Sequence, residues 1–266
     1  MYEDFYQLTQ TPFSRNISTD KLYITPALQE VLDRMTYAAG HRMFAVLTGD
    51  CGTGKSTILR KLSDTLDPRR YRMLYVSESK LKPRNFYRIL LEQIGVQAKW
   101  NVSAAKRQLH EKLSVMRAMD GISAVCVVDE SHLLSFEMLE EIRFLLNMHF
   151  DAESPIGLIL SGQPELRAKL GLQKCTAIRQ RVNIQSILNH YDLSETTAYI
   201  SHQMTIAGAR SEIFTKEAVR KIFEYSTGIP RLINNVCTSV LMYGCQNQMR
   251  LIDDHAVSTV LEGEFS

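Results

Sequence analysis

The chain has 266 residues, 45% hydrophobic and 23% charged, enough for a sizeable core in one large domain or one domain with an appendage. Its apolar runs, such as Ala124 to Val128 and Ile156 to Leu160, are far shorter than the ~20 residues of a membrane helix, so no membrane span is expected. The formal net charge of +2 conceals an asymmetry: residues 60 to 117 hold 14 of the 31 Lys and Arg but only 5 of the 29 Asp and Glu, a basic segment that suits a polyanionic partner.

Residues 1–40 read as an aromatic-rich arm and a first helix, part of the module that follows. The opening Tyr2-Glu3-Asp4-Phe5 lacks the basic-then-apolar start of a signal peptide. From 41 to 192, apolar and β-rich runs recur: Met43 to Thr48, Tyr71 to Val76, Ile122 to Val128, Ile156 to Ser161 and Val182 to Leu188. They alternate with helical patterns after Lys55 and over Arg84 to Ile94, Ser103 to Ala118 and Phe136 to Asn147. That alternation predicts an α/β domain with a five-stranded parallel sheet covered by helices.

Beyond residue 192 the strand signal ends, and 193–266 reads as a small all-helical lid. Ser194 is the expected cap of a helix to Ala207, with Gly208 as its stop. Thr215 caps a second helix ending at Gly228, a third runs from Arg231 to Gly244, and a fourth begins near Asp253. The five cysteines, at 51, 126, 175, 237 and 245, are odd in number and have no metal-knuckle spacing. They read as reduced thiols of a cytoplasmic protein.

The first strand runs into Gly49-Asp50-Cys51-Gly52-Thr53-Gly54-Lys55-Ser56-Thr57, which opens a helix. That is the P-loop pattern in the context it requires. Its glycines let backbone N–H groups turn toward phosphates, and the helix N-terminus adds its positive end. Lys55 is expected to reach the β- and γ-phosphates of ATP, and the Ser56 hydroxyl to ligate Mg²⁺.

The third strand ends in Asp129-Glu130. Behind a P-loop, such a pair is suited to hold the metal through water (Asp129) and to polarise the attacking water (Glu130). The fourth strand ends in Ser161-Gly162-Gln163, where Ser161 or Gln163 is the candidate nucleotide sensor. Arg179 and Arg181 precede the fifth strand, where a cation could be supplied in trans to the γ-phosphate. Arg231 lies in the first turn of a lid helix, against the helix dipole, which points to an anionic partner.

With these residues in hand the chain resembles AAA+ ATPases, and more narrowly the ExeA-type group with the transposition regulators TnsC, TniB and MuB. The resemblance rests on Tyr2-x-x-Phe5, Thr11-Pro12-Phe13 and Leu22-Tyr23, on the P-loop, on Val128 to Leu134, on Leu160 to Leu166, on Arg179-Gln180-Arg181 and on Gly228 to Asn234. It implies sensor 1 at Ser161 to Gln163, an arginine finger at Arg181 or Arg179, sensor 2 at Arg231 and an adenine pocket around Phe13 and Tyr23. It also implies a homo-oligomer, ring or helical filament, because the finger comes from a neighbour.

In the transposition regulators, ATP-bound subunits polymerise on duplex DNA and recruit the transposase. On that model Lys80, Lys82, Arg84 and Arg88 are the foremost DNA contacts, with Lys99, Lys106 and Arg107 behind them. They would touch phosphates without reading sequence. The partners implied are duplex DNA, a transposase and a target-site adaptor, with no membrane. The alternatives are an ATPase of a secretion or cell-envelope system, against which the lack of a following membrane span counts, and a helicase-loader-like adaptor.

Overall fold

The computed structural model describes residues 2–78, 81–146 and 154–264. The chain divides into two units, Pro26–Cys51 with Lys55–Leu188, and Met1–Thr25 with Gly52–Gly54 and Asn189–Ser266. It opens on a single helical turn, α1 (Tyr2–Phe5), which belongs to the second unit.

The first unit is a parallel sheet of β1 (Phe44–Gly49), β2 (Tyr71–Val76), β3 (Ser123–Val128), β4 (Gly157–Gly162) and β5 (Ile184–Leu188), in the order β2-β3-β4-β1-β5. Every strand falls on the apolar run that predicts it. The central β1 and β4 are buried at every position and β3 at all but its first, whereas the edges β2 and β5 alternate. That is the expected contrast between strands covered on both faces and strands at a margin.

The helices of this unit are α2 (Pro26–Gly40), α3 (Lys55–Thr65), α4 (Pro83–Gln93), α5 (Val102–Asp120), α6 (Phe136–Leu145), α7 (Pro164–Gly171) and α8 (Thr176–Arg179). Asn101 caps α5 by accepting from Ser103 and Ala104 N–H, and Gly121 ends it in the left-handed region. Leu90, Leu91, Leu109, Met138 and Ile142 from these helices join Leu74, Cys126 and Leu158 of the strands in one core. Because all strands run the same way, the residues that follow β1, β3 and β4 share one edge of the sheet, the usual ligand edge of open α/β sheets.

The second unit is formed by α9 (Leu193–Ile206), α10 (Lys216–Ser226), α11 (Pro230–Gln246) and α12 (Asp254–Glu264), with the N-terminal residues packed among them. Tyr2, Tyr6 and Phe13 share its core with Ile200, Ile222, Val236 and Val240. Thr215 caps α10 as expected, accepting from Ala218 N–H.

The cap of α9 differs from expectation. It is Asp192, which accepts from Glu195 N–H at 2.7 Å while the Glu195 carboxylate accepts from Asp192 N–H at 3.1 Å, and Ser194 lies inside the helix. The reciprocal box satisfies two orphan donors where the serine would satisfy one, so the helix starts earlier. Gly228, read as a helix stop, has a second constraint. Its φ is +78°, and a Cβ there would lie 1.8 Å from Tyr191 O. Among the described residues, no helix is long and apolar enough to cross a membrane.

Candidate active site

Strand β1 delivers the glycine-rich loop at its carboxyl end, and α3 starts at the loop's lysine. Gly52 and Gly54 have φ of +90° and +101°, where only glycine is unstrained, and a Cβ on Gly54 would meet nothing within 4 Å. The backbone is therefore open at Gly54, whereas at Gly52 a Cβ would come within 2.8 Å of Arg231 Cβ and 3.0 Å of Ile229, so glycine is also needed there for close approach. Lys55 is buried, and its ammonium donates to Gly49 O at 2.7 Å and Asp50 O at 2.9 Å. Burial pushes its pKa down, opposed by the carboxylates of Glu130, Asp129 and Asp50.

Asp129 is the hub of the first unit. Register explains it: β3 and β4 pair Val128 with Leu160, so the next residues, Asp129 and Ser161, emerge side by side. Ser161 Oγ donates to Asp129 Oδ1 at 2.8 Å, and the Glu130 N–H donates to the same oxygen at 3.0 Å. Ser56 Oγ donates to Oδ2 at 3.0 Å and the Tyr75 hydroxyl at 2.8 Å. Burial alone would raise the Asp129 pKa, but these hydrogen bonds outweigh it and hold the carboxyl below its ordinary value.

Glu130 follows with φ +51°, a left-handed conformation that turns the chain sharply after β3 and leaves its carboxylate exposed. Its Oε2 lies 3.5 Å from His132 Nδ1. That same nitrogen faces the Gln163 N–H at 3.4 Å, and Lys169 donates to His132 O. A ring nitrogen cannot accept from a backbone N–H and donate to a carboxylate at once. His132 Nδ1 therefore addresses either Gln163 or Glu130, according to its proton.

Of the two sensor candidates, Ser161 reaches the carboxylate hub, while Gln163 stands at the start of α7 with its N–H toward His132. Thr53 is buried, Asp50 and Cys51 are exposed, and Thr57 sits in the first turn of α3. Arg179 is exposed and donates to Gly171 O at 2.9 Å, and Arg181 is half-buried beside it.

Tyr75 and His132 escape a reading of the sequence for roles. Tyr75 has only the signature of an outward-facing aromatic on an edge strand, and its contact with Asp129 needs the parallel pairing of β2 with β3.

In the helical unit, Phe13 is a core residue, whereas Tyr23 is half-buried among Tyr191, Tyr199 and His202, with ring centroids 5.9, 5.9 and 5.6 Å away. Arg231 is exposed in the first turn of α11, and its N–H donates to Gly52 O at 3.3 Å. Both residues belong to that unit.

Of the basic candidates, Lys80 lies outside the described residues. Lys82 is exposed at the head of α4, and Lys99 and Arg107 are exposed on the loop before α5 and on α5 itself. The Arg84 guanidinium lies over the Trp100 ring at 3.5 Å, and Arg88 pairs with Glu92 at 3.2 Å. Lys106 is held by Glu141 at 3.0 Å in a half-buried pair that Tyr87 joins, so its charge is already neutralised.

A hydroxyl and a carboxylate from two elements 3.0 Å apart offer hard oxygen donors of the kind Mg²⁺ takes when substrate phosphates and water complete its shell. The glycine loop and the buried lysine suit a polyphosphate. Fold and site together define a P-loop ATPase. A family model described as an AAA domain matches residues 38–170, half of the chain, and the chain belongs to that family, whose members use ATP with Mg²⁺.

Over 246 residues the chain is 29% identical to general secretion pathway protein A of Aeromonas hydrophila, which covers 91% of this chain and 44% of that protein. The chain thus spans less than half the length of this relative. Among solved structures it is similar to Cdc6p of Pyrobaculum aerophilum, with a TM-score of 0.71 and 15% identity over 94% of this chain and 70% of that one. It is also similar to the Aeropyrum pernix ORC1 protein in complex with DNA, at 0.68 and 14% over 91% and 66%. The Thermotoga maritima RuvB Holliday junction branch migration motor follows at 0.64 and 18% over 94% and 73%. At these identities the likeness concerns the fold.

Proposed function

We propose that this ATPase assembles with copies of itself on duplex DNA when it holds ATP, and that the assembly recruits or activates a transposase. The observation that carries the reading is the basic segment from residue 60 to 117, with Lys82, Arg84, Lys99 and Arg107 exposed at its centre. Such side chains contact phosphates without reading bases. An ORC1 protein solved with DNA and a branch migration motor among the similar structures support a nucleic-acid partner. The transposase and a target-site adaptor rest on the resemblance of the sequence to transposition regulators.

Within the ATPase cycle we assign the phosphates to the loop Gly49 to Thr57 and to Lys55, and Mg²⁺ to Ser56 and Asp129. Glu130 orients the attacking water, and Ser161 with Gln163 senses the γ-phosphate. Arg181 or Arg179 of a neighbouring copy stabilises the charge that develops there. Arg231 takes a phosphate, and Tyr23 with Phe13 the base.

The second reading, an ATPase of a secretion system, is favoured by the 29% identity to a general secretion pathway protein.

One titration separates the two. With a non-hydrolysable ATP analogue, the protein binds random duplex DNA at low salt, and log K falls linearly with log salt. No binding at low salt removes the DNA reading and leaves the secretion reading. Binding that is unchanged by Lys82→Ala with Arg84→Ala moves the interface elsewhere on the protein.

A further inference from the structure

The protein's sole tryptophan is left out of both cores. Trp100 is 81% exposed, at the end of the loop between α4 and α5. An exposed apolar side chain is ordinary by itself, but a large flat ring offers a partner more contact area than almost any other side chain. The ring is also organised. The Arg84 guanidinium from the first turn of α4 lies over it at 3.5 Å, which takes one face and leaves the other toward solvent. The loop is pinned in turn: Lys99 N–H donates to Gln108 Oε1 at 3.1 Å, and Gln108 Nε2 to Gln97 O at 3.0 Å. The Asn101 side chain then caps α5 directly after the ring.

The charge around the pair selects the partner. Of the six Lys and Arg in residues 81 to 107, Arg88 is paired with Glu92 and Lys106 with Glu141, which leaves the exposed Lys82, Arg84, Lys99 and Arg107 to set the local charge. A stacked guanidinium keeps its N–H edges available for phosphate while the ring offers a flat π-face. In a fully paired duplex the faces of the bases are occupied by their neighbours, so a flat ring finds nothing to stack on. An unpaired base presents its face.

We propose that Trp100, backed by Arg84, is a stacking platform for an unpaired nucleobase, so that the protein favours DNA carrying unpaired bases over perfectly paired duplex. This rests on the DNA reading above and adds the structural state of the DNA that is engaged.

Because the chain has one tryptophan, emission excited at the red edge of the absorption band, where its 11 tyrosines do not absorb, reports on this ring alone. The full chain with ATP analogue is titrated with a single-stranded oligonucleotide, a matched duplex, and the same duplex bearing a bulge of unpaired bases. Binding is followed independently by the anisotropy of labelled DNA. All three DNAs are expected to bind at low salt, with Trp100 emission quenched by the single strand and the bulged duplex and not by the matched duplex. Trp100→Ala should weaken binding of the unpaired substrates about tenfold and leave the matched duplex nearly unchanged, with Trp100→Phe restoring most of the loss.

DNA binding with unchanged emission, or equal losses on matched and unpaired DNA, overturns the platform and leaves the DNA reading standing. Failure to bind any of the three DNAs overturns both. An emission shift that follows protein concentration without DNA assigns the ring to a second copy of the chain, and also overturns the platform.

Discussion

Asp129 accepts four hydrogen bonds, and each donor comes from a different part of the first unit: α3, β2, β4 and the turn after β3. A carboxylate held this way has its pKa depressed, so it stabilises the fold fully above the ordinary aspartate range and progressively less as the pH falls through its lowered folded value. Tyr75→Phe removes one donor to a charged acceptor and should lower stability at pH 7 by about 1 kcal/mol. The loss should shrink at pH values low enough to protonate Asp129. Equal losses in denaturant melts at both pH values would show that the hydroxyl does not act through this carboxylate. Glu130→Gln is a separate test, because the Glu130 carboxylate is exposed and bears on His132 rather than on the hub. It should retain ATP binding while turnover falls roughly 10²–10⁴-fold, the range for loss of a positioned base. Unchanged turnover removes Glu130 from that role.

Among the elements, α9 shows how a helix start is decided by the better of two caps. Ser194 and Asp192 are both capping residues, but only Asp192 has a glutamate three positions on, and the structure places the helix start at that pair. Asp192→Ala should therefore destabilise the helical unit by about 1 kcal/mol, whereas Ser194→Ala, at an exposed position inside the helix, should be nearly neutral. Comparable losses in the two variants would return the cap to the serine. The strands were legible because their burial is simple. β1, β3 and β4 are predominantly apolar since helices cover both faces, and the loops after β1 and β3 carry the two motifs that chemistry demands at a strand's carboxyl end.

For the whole molecule, the N-terminal segment is the element whose role is set by distant residues. Tyr2, Tyr6 and Phe13 are buried with residues of α9 to α12, and the Tyr6 hydroxyl donates to Met249 O at 3.0 Å. Burying each such ring is worth about 1.5–3 kcal/mol. Tyr6→Ala combined with Phe13→Ala should thus loosen residues 193–264 before the sheet unit, seen as faster amide exchange in α9 to α12 with the exchange of β1, β3 and β4 preserved. Uniform loss of protection across both units would show that the arm supports the whole chain instead.

The sequence by itself determined the α/β fold, the five strands, the P-loop and the Asp-Glu pair, because these rest on local periodicity and on a loop chemistry confined to consecutive residues. Tertiary structure alone decided that Tyr75 and Ser161 share Asp129, that His132 stands between Glu130 and Gln163, that Lys106 is neutralised by Glu141, and that Arg84 lies on Trp100. Each of these joins separate elements through strand register or helix packing. A change of register by one residue would send Tyr75 or Ser161 to the opposite face of the sheet while leaving the local pattern intact.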